Sequence, residues 1–361
     1  MAQKADKKDF SSASSQRNAG ASRMKQLLIT LCVTIVVLGG IILLYLFLPA
    51  VTNKADNDAL IKIPLNASNE MVNDSISKYL GDKYASKVML MSKVRRSDFS
   101  KRHGAFMIEK GTSPLRAERK LISGSQYPMN VTVNSARGLD KVSERIASRL
   151  DVAPDSLLNF LQQPGNLDAY GLSPDDALAL FIDDTHQFFW NASPKTIVEK
   201  FGANYKKIWN DERLKKAASL GLSPAQVITL ASIVDEETNK ADEKPLVARL
   251  YLNRLKKGMK LQADPTVKFA LGDFSLRRIR THHLSIDSPY NTYKISGLPP
   301  GPIRSVSVKD IDAVLDAPLH NYIYMCAKED FSGYHNFAAD YNTHQQNARK
   351  YQRALNQKKI F

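Results

Sequence analysis

The sequence predicts an α+β protein in which a single transmembrane helix precedes a small α+β module and a mainly helical domain with a β-hairpin. Three observations lead to this class. An uncharged apolar run covers residues 27–51, short strand-like runs are mixed with an amphipathic segment in residues 62–131, and helical periodicity dominates after residue 128. With 361 residues, of which 43% are hydrophobic and 24% charged, the chain is long enough to form one or two domains with their own cores.

The apolar run near the N-terminus is long enough to be a membrane-spanning helix. No charged residue occurs from Gln26 to Asn53, and about 20 helical residues cross the hydrocarbon core of a bilayer. The run exceeds the roughly 7–15 apolar residues of a cleavable signal peptide, which favours an uncleaved signal-anchor over cleavage or a buried soluble helix. Six Lys and Arg residues against two Asp residues in 1–25 predict that this tail stays in the cytoplasm and that 26–53 is the anchor. The rest of the chain is then outside.

The exported part is predicted to consist of a membrane-proximal module, residues 54–128, and a second domain, residues 129–361. The module contains an amphipathic helix over residues 71–80. In the second domain, Ser173 and Ser223 each precede a proline, which is the pattern of an N-cap followed by a first-turn proline and predicts two helix starts. The other elements expected there are a strand at 129–133, helices at 139–150 and 245–255, a hairpin that begins at 322–327, and a polar helix at 342–358.

The net charge of the chain favours an anionic partner. Lys and Arg number 51 against 36 Asp and Glu, which gives a formal charge of +15. An exported domain meets acidic phospholipids and the carboxylates of peptidoglycan rather than nucleic acid, and the chain has neither a Walker A loop nor a G-x-G-x-x-G turn. Its two cysteines, Cys32 and Cys326, suggest no disulfide framework or metal site. We therefore expect an envelope partner and no nucleic acid, metal or cofactor.

The segment 223–238 is the most informative for chemistry, because an apolar helix runs directly into three acidic residues. At about 100° per residue, Glu236 is expected to point into solvent, whereas Asp235 and Glu237 flank the apolar stripe. Glu237 has the longer side chain and is the best candidate for a half-buried acid. A carboxyl group among apolar neighbours favours its neutral form, as a general acid requires. The alternative is a solvated acidic helix end. The stripe consists of Val227, Leu230, Ala231 and Val234.

Loops rich in amides, hydroxyls and tyrosines follow this helix. They cover residues 261–266, 288–293 and 297–303. Such residues combine neutral hydrogen-bonding groups with flat apolar faces, which suits a polar neutral ligand such as a sugar chain. Each loop also fits simple turn chemistry, most of all the Pro-Pro-Gly-Pro run at 299–302.

Several of these segments resemble the motifs of the YceG-like family, in the same order and at close spacing. The segments are ASIVDEET (231–238), NRL (253–255), GMKLQADPTV (258–267), YNTY (290–293) and GLPPGPI (297–303). Family members commonly have ASIVEKET, so this chain departs at Asp235 and Glu236 and keeps the glutamate at Glu237. The resemblance implies an endolytic transglycosylase of peptidoglycan, anchored in the bacterial inner membrane, with a LysM-like module at 54–128 and no cofactor.

The resemblance also implies roles for particular residues. Glu237 first protonates the glycosidic oxygen between MurNAc and GlcNAc and then takes the proton of the muramyl C6 hydroxyl, which leaves a 1,6-anhydro end. Because the attacking oxygen belongs to the substrate, no second catalytic carboxylate is needed. Asp264, before a proline, fits a turn or N-cap equally well, and His335 fits a hairpin histidine. The expected substrate-binding residues are Gln262, Asp264, Thr266, Tyr290, Asn291, Tyr293 and His335.

Two other functions fit the same residues. One is a hydrolysing muramidase in which Glu237 is the acid and Asp264 activates water or acts as the nucleophile. The other is a catalytically silent glycan-binding scaffold that uses the basic exported half. The family resemblance further suggests peptidoglycan synthases and division or elongation proteins as partners, and no residue specifies which of them.

Overall fold

The computed structural model describes residues 6–47, 58–276 and 278–358. The start of the predicted cytoplasmic tail, the end of the predicted anchor after residue 47 and the first four residues of the predicted module lie outside the described residues. The chain divides into two compact units, Met1–Tyr127 and Pro128–Phe361, and each has its own hydrophobic core.

The first unit begins with the long helix α1 (Asp6–Phe47). Its Ser22–Leu44 stretch is long and apolar enough to cross a membrane, and none of its hydrophobic window is buried against other parts of the protein. Leu27 and Val36, for example, are 71% and 73% exposed. A helix of a soluble core hides such side chains, whereas a membrane anchor presents them to lipid. The structure therefore fits a single-pass anchor.

The rest of the first unit is a two-stranded sheet covered by helices. Strands β1 (Ala59–Ile63) and β2 (Gly104–Ile108) pair antiparallel, with Ala59 opposite Ile108. Helices α2 (Asn69–Leu80) and α3 (Asp82–Arg95) lie between them in sequence, and α4 (Pro114–Ser123) follows. The predicted amphipathic segment is α2, which buries Val72, Ile76 and Leu80. These three side chains join apolar residues of β1 and β2 in the core of this unit.

The second unit opens with strand β3 (Pro128–Val133), helices α5 (Leu139–Ala147) and α6 (Pro154–Gln162), and strand β4 (Asp184–Phe189). Strands β3 and β4 pair antiparallel, with Val133 opposite Asp184. The α-helix predicted to start at Ser173 is wrong. The Ser173 hydroxyl bonds the Asp176 carboxylate (2.9 Å) and closes a turn, after which Ala177–Leu180 form a fully buried 3₁₀ turn.

Helices build the remainder of the second unit. They are α7 (Pro194–Ile208), α8 (Asp211–Ser219), α9 (Pro224–Glu237), α10 (Lys244–Lys256), α11 (Asp264–Leu271), α12 (Val308–Leu315) and α13 (Tyr341–Gln357). Before α13, strands β5 (Tyr324–Ala327) and β6 (His335–Ala338) form the predicted hairpin, with Ala327 opposite His335. Helix α9 contacts α8, α10, α11 and α12. The predicted α+β class, mainly helical after residue 128, is confirmed.

Candidate active site

Helix α9 carries the candidate acid at its C-terminal end. The helix begins with a capping box, in which Ser223 and Gln226 each bond the other's backbone N–H, and Pro224 occupies the first turn. The whole predicted apolar stripe is at most 1% exposed. Because the helix is anchored along its length in the core, its last residue, Glu237, has a fixed position among the neighbouring helices.

Glu237 is half-buried and hydrogen-bonded. Its Oε1 accepts a hydrogen bond of 2.7 Å from the hydroxyl of Tyr251, a residue of α10 that is 2% exposed. The pKa of Glu237 is raised from 4.5 to about 7, because burial and the nearby charge of Asp264, which raise it, outweigh the Tyr251 hydrogen bond and the charges of Lys268 and Arg254, which lower it. The carboxyl group is thus able both to give and to take a proton near neutral pH.

A pocket of about 220 Å³ adjoins the carboxyl group of Glu237. Its walls come from α9, α10, the loop that leads into α11, Tyr293 and the β5–β6 hairpin. Polar groups predominate in this lining, which suits a ligand with many hydroxyl groups. The lining residues are Glu237, Leu250, Tyr251, Arg254, Leu261, Gln262, Asp264, Tyr293, Met325, Cys326, Ala327 and His335.

Four of the seven predicted substrate-binding residues lie in this pocket with Glu237. Asp264 is the first residue of α11 and accepts a 2.6 Å hydrogen bond from the Tyr293 hydroxyl, whereas the N-cap position belongs to Ala263. Gln262 is exposed and has a φ of 50°, a strained backbone conformation for a residue with a side chain. The fourth residue, His335, is on β6.

The other three predicted residues lie outside the pocket lining. Thr266 and Asn291 are fully buried. The Thr266 hydroxyl is hydrogen-bonded to Thr292 and the Ala263 carbonyl, both at 2.8 Å, and the Asn291 amide donates to two loop carbonyls. Tyr290 packs on Phe269 with 4.7 Å between ring centroids. The buried hydrogen bonds of Thr266 and Asn291 and the ring contact of Tyr290 hold the loops next to the pocket, and contact of these three residues with substrate stays a prediction.

Of the two acids before Glu237, Glu236 is placed differently from the expectation. Glu236 is 12% exposed and pairs with Arg137 and Arg304, so the prediction that it points into solvent is wrong. Asp235 is 15% exposed and pairs with Arg304 and Lys244, and Lys244 also contacts Asp310 at 2.6 Å. Every residue of α9 from Val227 to Val234 is buried, and the direction opposite its apolar stripe leads at Glu236 into an ion-pair network rather than into water.

Two residues that the sequence analysis did not single out complete the pocket. Tyr251 lies in the segment 245–255 that the sequence predicts to be a helix, and its hydroxyl donates to Glu237. Arg254, in the NRL motif, is 8% exposed and donates to the carbonyls of Leu261 and Ile323 at 2.8 and 2.7 Å. It thereby joins the loop before α11 to the residue that precedes β5.

We expect Tyr251→Phe to raise the pKa of Glu237 further. The Tyr251 hydroxyl donates to the ionised carboxyl and stabilises it, so its removal favours the protonated form. The measurement is ¹³C NMR titration of the Glu237 carboxyl carbon in the wild type and the variant. Tyr293→Phe is the matched control, since its hydroxyl bonds Asp264 instead. An unchanged pKa in Tyr251→Phe contradicts this account of the site.

Comparison with known proteins places the chain in a family. The model of the YceG-like family matches residues 61–350, and the chain belongs to this family. A solved structure of a yceG-like protein from Listeria monocytogenes has the same fold, with a TM-score of 0.54 at 23% identity over 81% of this chain and 99% of that one.

Curated relatives match over shorter segments. The endolytic murein transglycosylase of Bacillus subtilis is 37% identical over 127 residues, which are 35% of this chain and 34% of that protein. The protein of the same name from Streptococcus pneumoniae is 34% identical over 113 residues, 30% of this chain and 20% of that protein. The match thus spans about a third or less of these relatives' length.

Proposed function

We propose that the protein is an endolytic lytic transglycosylase that cuts the β-1,4 bond between MurNAc and GlcNAc in nascent glycan strands of peptidoglycan and so limits strand length. The observation that carries the proposal is the Glu237 carboxyl group, protonatable near neutral pH, at the wall of a polar pocket. Membership of the YceG-like family and the names of the relatives support the same reaction.

The reaction needs one group that gives a proton and then takes one. Glu237 donates its proton to the glycosidic oxygen as the bond from C1 to that oxygen breaks, and GlcNAc leaves with a free hydroxyl. The Glu237 carboxylate then accepts the proton of the muramyl C6 hydroxyl as the C6 oxygen bonds to C1. A pKa of about 7 serves both steps. Asp264 is in the same pocket, where a negative charge stabilises the positive charge that develops on the sugar ring.

Mass spectrometry of murein glycan digested by the purified protein tests this function. We expect 1,6-anhydroMurNAc ends. Reducing MurNAc ends would instead identify a hydrolysing muramidase, a candidate favoured by the presence of Asp264 in the pocket beside Glu237. Bound but uncut glycan would identify a glycan-binding scaffold. A scaffold does not need a carboxyl group with a raised pKa such as that of Glu237.

The location and the first unit belong to the same proposal. We propose that α1 anchors the chain in the bacterial inner membrane with residues 1–25 in the cytoplasm and the pocket outside, where the glycan is. A compartment-specific reporter fused after residue 361 tests this orientation. We further propose that residues 54–128 are a LysM-like glycan-binding module, tested by glycan binding after its deletion. Peptidoglycan synthases and division or elongation proteins are the proposed partners, to be tested by crosslinking in cells.

A further inference from the structure

A buried carboxylate next to the pocket holds one of the lining residues. Glu243, just before α10, has a side chain that is 2% exposed. Its Oε1 accepts a hydrogen bond of 2.6 Å from the backbone N–H of His335, and its Oε2 lies 2.8 Å from the Thr238 hydroxyl and 2.9 Å from His335 Nδ1. Glu243 thus connects the residue that follows Glu237 to strand β6 on the opposite wall.

The hydrogen-bond pattern around Glu243 fixes where the imidazole carries its proton. The Thr238 hydroxyl oxygen already accepts from the Lys240 N–H at 3.1 Å, so its own hydrogen is donated to Glu243. A carboxylate only accepts hydrogen bonds, and therefore Nδ1 of His335 must be the protonated nitrogen that donates to it. In the neutral ring, Nε2 then carries the lone pair.

The other ring nitrogen is left for a ligand. Among the residues that the structure describes, Nε2 of His335 has no hydrogen-bond partner, and the side chain is 17% exposed at the pocket wall. A neutral acceptor suits this position. A positive imidazolium in the same pocket would favour the ionised form of Glu237, whereas the proposed reaction begins from the protonated form.

We propose that Glu243 is a positioning residue that holds His335 in its Nδ1–H tautomer, and that Nε2 accepts a hydrogen bond from a hydroxyl or acetamide N–H of the amino sugar bound beside Glu237. The identity of the sugar and the acceptor role of a neutral ring rest on the proposed function, whereas the proton on Nδ1 rests on the hydrogen bonds to Glu243 alone. No residue motif marked Glu243, because its partners are 5 and 92 residues away along the chain.

The first test reads the tautomer directly. In ¹⁵N NMR of the wild-type protein near neutral pH, we expect Nδ1 of His335 to be protonated and Nε2 to be unprotonated. Glu243→Gln should reverse this. The oxygen of the introduced amide must still accept from the His335 backbone N–H, so the amide NH₂ group faces Nδ1, donates to it and leaves the ring proton on Nε2. A protonated Nε2 in the neutral wild-type ring overturns the proposal.

The second test reads the acceptor role as binding, in a Glu237→Gln background that leaves the glycan uncut. His335→Phe and Glu243→Gln should each weaken binding of peptide-free murein glycan roughly tenfold, as the loss of one hydrogen bond implies. His335→Gln, which keeps an acceptor oxygen, should recover part of the loss. Tyr334→Phe is the matched control. Tyr334 belongs to the same hairpin as His335 but lies outside the pocket lining, and its hydroxyl donates to Asp242.

De-N-acetylated glycan distinguishes the two donors. De-N-acetylation converts the acetamide into an amine, which is largely protonated near neutral pH and donates a stronger hydrogen bond. If the acetamide N–H is the donor, the effect of His335→Phe therefore grows with this glycan, and if a hydroxyl is the donor, the effect is unchanged. Unchanged binding of both glycans in folded His335→Phe overturns the acceptor role. The binding and tautomer measurements do not depend on cleavage. If the wild type releases no anhydro ends, the proposed function is disproved, and the measurements on His335 can still be interpreted.

Discussion

Glu237→Gln removes bond cleavage, by a factor on the order of 10²–10⁴ or more in rate, and leaves the fold and glycan binding intact. The amide keeps the size of the carboxyl group and can still accept the Tyr251 hydrogen bond, but it has no proton of suitable acidity to give. Release of anhydro-ended fragments, measured by chromatography and mass spectrometry, gives the rate.

The same substitution has a second expected result. Because the folded-state pKa of Glu237 is raised, from an ordinary value of 4.5 to about 7, its contribution to stability is lost as the pH rises through about 7. Gln has no charge to bury. The melting temperature of Glu237→Gln relative to the wild type should therefore be higher at pH 8 than at pH 5.

Glu236→Gln is the matched control for the acid. Glu236 pairs with Arg137 and Arg304 outside the pocket lining, so this variant should lose stability and keep its cleavage chemistry. Near wild-type release of anhydro ends by Glu237→Gln, or inactivity of well-folded Glu236→Gln, would show that the acid has been assigned to the wrong residue.

Lys244→Met should lower the free energy of unfolding by about 3–5 kcal/mol. Lys244 is the cation shared by Asp235 and Asp310, whose side chains are 15% and 9% exposed, and its loss leaves two largely buried carboxylates with fewer partners. Burial alone would raise the pKa of Asp310, but its hydrogen bonds to Lys244 and Ser307 outweigh burial and lower it. Urea and thermal unfolding of the purified protein measure the effect.

A surface pair provides the comparison for Lys244. Lys141 contacts Glu144 at 2.8 Å, with side chains that are 54% and 56% exposed, and exposed pairs contribute little to stability. Lys141→Met should therefore leave the free energy of unfolding nearly unchanged. Equal losses of unfolding free energy in Lys244→Met and Lys141→Met would mean that the ion pairs of Lys244 with Asp235 and Asp310 contribute no more to stability than an exposed pair.

Local patterns predicted the elements that depend on local chemistry. The anchor, α2, α9 with its capping residues, and the β5–β6 hairpin follow from apolar runs, periodicity and turn residues. Helix geometry also predicted the half-burial of Glu237, because the apolar stripe that Glu237 flanks is the buried face of α9. The error at Glu236 has the same origin. Periodicity describes one face of a helix and does not tell whether charged residues from distant segments cover the other.

The site residues that sequence reasoning missed are defined by distant contacts. Tyr251 meets Glu237 from another helix, and Glu243 meets a strand 92 residues away. Conversely, Thr266 and Asn291 have the residue types of a sugar site, yet their hydrogen bonds are satisfied inside the fold. Residue type shows what a side chain is able to bind, and only the tertiary structure shows where its polar atoms are used.

The hairpin wall of the pocket has a consequence for the order in which the chain matures. Glu237 and Tyr251 are synthesised well before residues 323–335. The hydrogen bond of Arg254 to the Ile323 carbonyl and that of Glu243 to the His335 N–H form only when those later residues are present. A chain that has emerged only as far as α12 therefore carries its acid without the β5–β6 wall. The pocket lacks its hairpin wall until residues 323–335 have folded back against Arg254 and Glu243, so the late hairpin delays completion of the acid's surroundings.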